Sequence, residues 1–151
     1  MNDSLATKDR LAIMLDKLKD RQCRLTPQRM AILKELALST AHPTVETVYE
    51  KVKANFPTTS RATVYKTINL LKELNEILEL GFADSGNRYD GNKPYPHPHL
   101  ICTQCKKIID PDLQSLTDMT RELTEETGFK IINHRLDFFG ICPECQGAKK
   151  S

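Results

Sequence analysis

Two Cys-x-x-Cys pairs, Cys102–Cys105 and Cys142–Cys145, stand 36 residues apart in the sequence. A Cys-x-x-Cys turn brings two thiolates onto one metal ion, and two such turns complete a tetrahedral four-cysteine zinc site with Zn–S bonds of about 2.3 Å. Four protein ligands leave no position for water, so such a zinc is structural and fixes how the intervening chain folds. Two disulfides, or unrelated redox pairs, are the competing reading. No apolar run approaches the ~20 residues needed to cross a bilayer. The N-terminal stretch is interrupted by Asp3, Lys8, Asp9 and Arg10, unlike a secretory signal. The chain is therefore expected in the cytoplasm, away from membranes, where reduced thiols favour metal over disulfide. The fifth cysteine, Cys23, stands apart and reads as an ordinary buried thiol.

The ligand-type residues crowd one half of the 151-residue chain, a length that allows one domain or two small ones. Three of the four histidines, His97, His99 and His134, join the paired cysteines there. Charge follows the same division. Residues 1–73 hold 13 Lys/Arg against 8 Asp/Glu, and residues 74–151 hold 9 against 12. A net charge of +2 thus sums a basic half and an acidic half. The basic excess alone is a weak sign of nucleic-acid binding, since an ordinary solvated surface carries as much.

The basic half reads as helices. Leu11, Met14, Leu15 and Leu18 recur at i, i+3, i+4 and i+7, one buried helix face. Thr26 then caps a second helix with Pro27 at its first position, where the missing N–H costs nothing; Met30, Leu33 and Ala37 form its expected stripe. Thr44 caps a third, with Val45, Val48, Tyr49 and Val52 inward. Ser60 caps a fourth, with Val64, Ile68 and Leu71 inward. Its outer side presents Ala62, Tyr65, Lys66 and Asn69, with Arg61 at the N-terminal end. Apolar residues 77–82, a turn at Asp84-Ser85-Gly86-Asn87 and Arg88-Tyr89-Asp90 predict a hairpin. Helices closed by a hairpin make a winged helix-turn-helix, whose last helix fits the major groove. A small helical domain with Tyr65 and Lys66 merely solvated remains the alternative.

In the second half, His97-Pro98-His99 places both imidazoles on one side of an extended segment, because side chains alternate with period two. With Asp90 upstream and Asp110 downstream, this donor set suits Fe, Mn or Zn better than Mg or Ca. His42 lies far off in sequence, and spacing does not place it. Ile108-Ile109 and Phe129 through Ile141 read as strands, and Asp112 as cap of a helix with Leu116, Met119 and Leu123 on one face. So thin a domain buries little apolar surface by itself. A structural zinc and a partner subunit would both help, and a palindromic site also calls for a dimer.

LTPQR (25–29), AHPT (41–44), ATVYK (62–66), NRYD (87–90), HPHLICTQC (97–105) and CPEC (142–145) occur in one order. Together they resemble the ferric uptake regulator family along nearly the whole chain. The resemblance implies a homodimeric, metal-activated transcriptional repressor of α+β fold that binds a palindromic operator in double-stranded DNA. Its parts would be a winged-helix DNA-binding domain (1–91), a hinge (92–96) and a small α/β dimerisation and metal-sensing domain (97–151). Cys102, Cys105, Cys142 and Cys145 match structural Zn2+ ligands; His42, Asp90, His97, His99 and Asp110 match a regulatory site for Fe2+ or Mn2+. Gln28, Arg29, Arg61, Ala62, Thr63, Tyr65 and Lys66 are the candidate DNA contacts.

Asp110 stands where iron-uptake members carry Glu, and with Asp90 it resembles the peroxide-sensing branch. There Fe2+ reacts with hydrogen peroxide and a ligand histidine is oxidised, releasing DNA; His42 and His97 are the matching residues. Sensing of Fe2+ itself, as in an iron-uptake regulator, is the alternative. The chain departs from the iron-uptake pattern at Pro96, Pro98 and Thr117, so no third metal site is carried over and His134 reads as a strand histidine. From another class, a small zinc or iron hydrolase would use the His/Asp set to activate water. Five protein ligands leave little room for substrate, and no nucleophile–base pair stands beside them. The expectation is that the protein is not an enzyme.

Overall fold

The computed structural model describes residues 2–82 and 86–148, and the side chains of residues 9–82 and 86–147. Asp84 and Ser85 of the expected turn lie outside the described residues. The chain divides into two compact units, residues 1–95 and 96–151.

The first unit holds α1 (Asn2–Asp20), α2 (Pro27–Leu38), α3 (Val45–Asn55), α4 (Arg61–Glu73), β1 (Leu78–Leu80) and β2 (Arg88–Asp90). Three helices start on hydroxyl caps: Thr26 accepts from Arg29 N at 3.1 Å, Thr44 from Thr47 N at 3.1 Å and Ser60 from Thr63 N at 3.2 Å. Each cap satisfies a first-turn N–H with no partner inside its helix. Met14, Leu18, Ile32, Leu33, Leu36, Val48, Val52, Val64, Ile68 and Leu71 close one core. Met30 is exposed, contrary to expectation, and Ile32 and Leu36 take the interior instead. Leu33 and Ala37 of the predicted stripe are fully buried, and Met30 alone of the three falls outside it. Strands β1 and β2 pair antiparallel, Leu78 opposite Asp90. This is the winged helix-turn-helix expected.

The core also carries a buried carboxylate. Glu76, just before β1, pairs with Arg10 at 2.8 Å and with Lys17. Arg10 also donates to the backbone carbonyls of Glu76 at 3.1 Å and Gly91 at 2.9 Å. One guanidinium therefore ties α1 to both ends of the hairpin region.

The second unit holds β3 (His99–Cys102), β4 (Ile108–Ile109), α5 (Ser115–Thr127), β5 (Asp137–Gly140) and α6 (Pro143–Ala148). The sheet order is β4-β3-β5, with β3 antiparallel to β4 and parallel to β5. Three expectations are corrected here. Asp112 does not cap α5; Gln114 precedes the helix, without a side-chain cap bond. Only residues 137–140 of the stretch from Phe129 to Ile141 pair as strand, because β3 offers four residues to pair with. His134 therefore lies outside any strand. The fold is α+β, and no described helix is long and apolar enough to cross a membrane.

Candidate metal centres and nucleic-acid interface

Cys102 ends β3, Cys105 lies in the turn after it, Cys142 precedes α6 and Cys145 lies within it. All four are free thiols whose sulfurs lie within 4.8 Å of one another. Cys105 Sγ and Cys142 Sγ are 3.7 Å apart. A tetrahedron with 2.3 Å bonds has S···S edges of about 3.8 Å, whereas a disulfide needs about 2.05 Å. The cluster fits zinc and not disulfides. Backbone N–H groups of Cys142 and Cys105 pull the Cys102 thiol down to about 6, and contact with Cys142 pushes Cys145 up to about 12. Neighbouring thiols resist ionising together, and a divalent cation removes that conflict. Cys23 is half-buried, not fully buried as expected.

The His/Asp residues fall in both units. In the first, His42 Nε2 lies 3.1 Å from Asp90 Oδ2, both side chains almost fully buried. Three contacts with β2 set this geometry. Arg88 donates to the carbonyl of His42 and, at 2.6 Å, to that of Ala41; Tyr89 N donates to Pro43 O at 2.9 Å. Asp90 Oδ1 accepts from the N–H groups of Asn92 and Lys93 at 3.0 and 2.8 Å, which orients its other oxygen toward His42. In the second unit, Asp110 Oδ1 lies 3.2 Å from His97 Nε2 and 3.7 Å from His99 Nε2. The two rings lie 4.4 Å apart between centroids, tilted by 53° to one another. Asp137 Oδ1 faces His99 Nδ1 at 3.4 Å across the β3–β5 pairing. A ligating imidazole held through its other nitrogen by a carboxylate is the usual outer-shell arrangement of metal sites. Arg88 and Asp137 escaped the sequence reading. Arg88 stood inside the NRYD motif, but only strand pairing identifies Asp137.

The candidate DNA contacts form two patches. Gln28, Arg29, Thr63 and Lys66 line one concavity at the N-terminal ends of α2 and α4, together with Arg24 and Thr59. Tyr65 lines another with Glu46, Asn87 and Tyr89, between α4 and the hairpin. Ala62 is exposed. Arg61 is engaged within the unit. Its Nε and Nη2 donate to the two oxygens of Glu46 at 2.9 and 2.7 Å, and its guanidinium lies 4.4 Å from the Tyr49 ring centre. The Arg61 hydrogen bonds hold Glu46 below the usual carboxylate range.

Residues 20–139 match the ferric uptake regulator family. The chain belongs to this family. Among curated relatives, the peroxide-responsive repressor PerR of Staphylococcus aureus is 38% identical over 129 residues, 85% of this chain and 86% of that protein. Among solved structures, the ferric uptake regulator Fur of Helicobacter pylori, described as having three functional metal-binding sites, is 28% identical. It superposes with a TM-score of 0.79 over 93% of both chains. The Campylobacter jejuni peroxide stress regulator is 29% identical, with a TM-score of 0.70 over 87% of this chain and 98% of that one. The chain thus shares the fold of these regulators along most of its length.

Proposed function

We propose that this protein is a metal-dependent transcriptional repressor that binds a palindromic DNA operator as a homodimer and senses hydrogen peroxide. Its four-cysteine cluster holds a structural Zn2+. His42, Asp90, His97, His99 and Asp110 hold one regulatory Fe2+ or Mn2+. The domains run 1–91 and 97–151, with residues 92–96 as hinge, and the protein works in the cytoplasm. The observation that carries this reading is the buried imidazole–carboxylate chemistry of both units, the donor set first-row transition metals prefer. The Staphylococcus aureus repressor and Asp at position 110 favour peroxide over iron as the signal.

The protein's own residues supply position. Arg88 and β2 fix His42 beside Asp90; Asp137 and Asp110 hold His99 and His97. Bound Fe2+ supplies the peroxide chemistry that these side chains lack. Five ligands drawn from both sides of the hinge set the distance between the two reading heads of a dimer. Loss of His42 or His97 as a ligand releases that constraint, and the half-site spacing is no longer enforced. Helix α4, with Arg61, Ala62, Thr63, Tyr65 and Lys66, enters the major groove, and Gln28 and Arg29 approach the backbone. Exposed apolar side chains of the second unit, including Met119, Leu123, Phe138 and Phe139, support self-association.

The test is one stoichiometric dose of peroxide on Fe2+-loaded protein, followed by peptide mass spectrometry and duplex binding. A single-oxygen gain on the His42 or His97 peptide, with DNA release, is the expected result. Oxidation confined to cysteines defeats the peroxide reading. Fe2+-dependent binding that survives peroxide favours the second reading, sensing of Fe2+ itself, to which the overlay on the Helicobacter pylori regulator lends weight.

A further inference from the structure

Asp90 ends β2, and the three residues after it are pinned to the first unit. Its Oδ1 accepts from the N–H groups of Asn92 at 3.0 Å and Lys93 at 2.8 Å. Asn92 Nδ2 in turn donates to the carbonyl of Ala37 at 3.0 Å. Ala37 belongs to the last turn of α2, whose carbonyls lack a partner inside the helix. It lies five residues before His42. One side chain therefore joins the turn that orients Asp90 to the helix end that leads into His42, and those two residues meet at 3.1 Å. Between them, Arg10 Nε holds the carbonyl of Gly91 at 2.9 Å, and no Cβ fits at Gly91 against the Leu36 carbonyl. Beyond residue 93 the chain changes character. Pro94, Pro96 and Pro98 alternate with Tyr95 and His97. Each proline fixes its own φ near −65° and restricts the residue before it to extended conformations.

We propose that Asn92 is a positioning residue of the regulatory metal site, and that the hinge narrows to residues 94–96. The Asn92 clamp keeps the Asp90 carboxylate and the His42 imidazole in register before a metal ion arrives. The prolines limit the number of backbone states from which the ion must select. The inference rests on the regulatory-site reading and deepens it, by naming what prepares the part of the site that lies in the first unit.

The test uses the full-length, zinc-loaded protein, with Co2+ as the probe of the regulatory site, followed by its visible absorption bands. Asn92→Ala should weaken Co2+ binding about tenfold, the low end for losing an outer-shell support, and shift the bands that report ligand geometry. Asn92→Asp keeps the volume but sets an acceptor against the Ala37 carbonyl, and should act alike. Pro94→Ala and Pro96→Ala should each weaken binding about two- to fivefold with the bands unchanged. In hydrogen exchange on the wild type without Co2+, the amides of Asn92 and Lys93 should exchange as slowly as that of Tyr89, which donates to the Pro43 carbonyl. Wild-type affinity and bands in both Asn92 variants, whatever their melting temperatures, reduce Asn92 to a helix cap and overturn the proposal. Unprotected amides at 92 and 93 return both residues to the hinge and overturn it too. Unchanged affinity in both proline variants overturns the narrowed hinge. A zinc-loaded wild type that takes up no Co2+ overturns the regulatory site itself.

Discussion

His42 adopts φ +54°, a left-handed conformation that a non-glycine residue takes at a cost of about 1–2 kcal/mol. It is also followed by Pro43, which narrows its choices further. The conformation persists because Arg88 holds the carbonyls on both sides of the His42 nitrogen. Next to Asp90, Gly91 has no room for a side chain: a Cβ there would lie 2.8 Å from the Leu36 carbonyl oxygen and 2.9 Å from Met14 Cε. The backbone of α2 cannot yield as a flexible side chain would. Gly91→Ala should therefore cost about 1–3 kcal/mol, the range for overpacking a filled core. Chemical denaturation of the purified variant measures it, and a midpoint equal to wild type would contradict the packing argument. Neither the strain nor the clash is visible in the sequence, because both depend on how β2 meets the end of α2.

At the scale of elements, α3 and α4 are joined by a salt bridge that bears on the DNA-reading role proposed for α4. The Glu46–Arg61 pair is exposed, so it contributes little stability. Its consequence is electrostatic. Glu46 on the first turn of α3 neutralises the cation that opens α4, and its carboxylate would itself face a nearby phosphate. Glu46→Gln should tighten binding to a scrambled duplex several-fold at low salt and steepen its salt dependence, by fluorescence anisotropy. Unchanged affinity would mean that Arg61 faces away from the duplex. The caps and inward faces of α2–α4 were legible in the sequence, α2 save for Met30, since capping and i, i+3, i+4 spacing are local. The Glu46–Arg61 pair spans 15 residues and required the angle between two helices. The α5 stripe was legible as a stripe and silent about its partner: Met119 and Leu123 are about half exposed, at 50% and 51%.

Across the whole molecule, the two units rest on different physics. The first closes a conventional apolar core around a cluster of buried aliphatic side chains, among them Leu33 and Ile68. In the second, Pro98, Ile101, Cys102 and Ile108 are the only buried apolar residues among those described. So few cannot offset the chain entropy of some fifty residues at roughly 1–2 kcal/mol each. Zinc ligation, worth on the order of 10 kcal/mol in small domains, and burial against a second copy must supply the rest. Cys102→Ser should lose the zinc and the dimer. Hydrogen exchange should then accelerate through residues 99–140 while α2–α4 keep their protection. A folded, dimeric Cys102→Ser protein with full zinc content would sink this account.

The sequence alone determined the zinc cluster, three helix caps, the buried faces of α3 and α4, and the split into a basic and an acidic half. Each is a matter of short spacing or composition. Tertiary structure decided what depends on register between distant segments: Asp90 beside His42, Asp137 behind His99, and Arg88 on the 41–42 carbonyls. Pairing free energies of that kind accrue only once strands and helices have packed, so no local pattern in the chain encodes them.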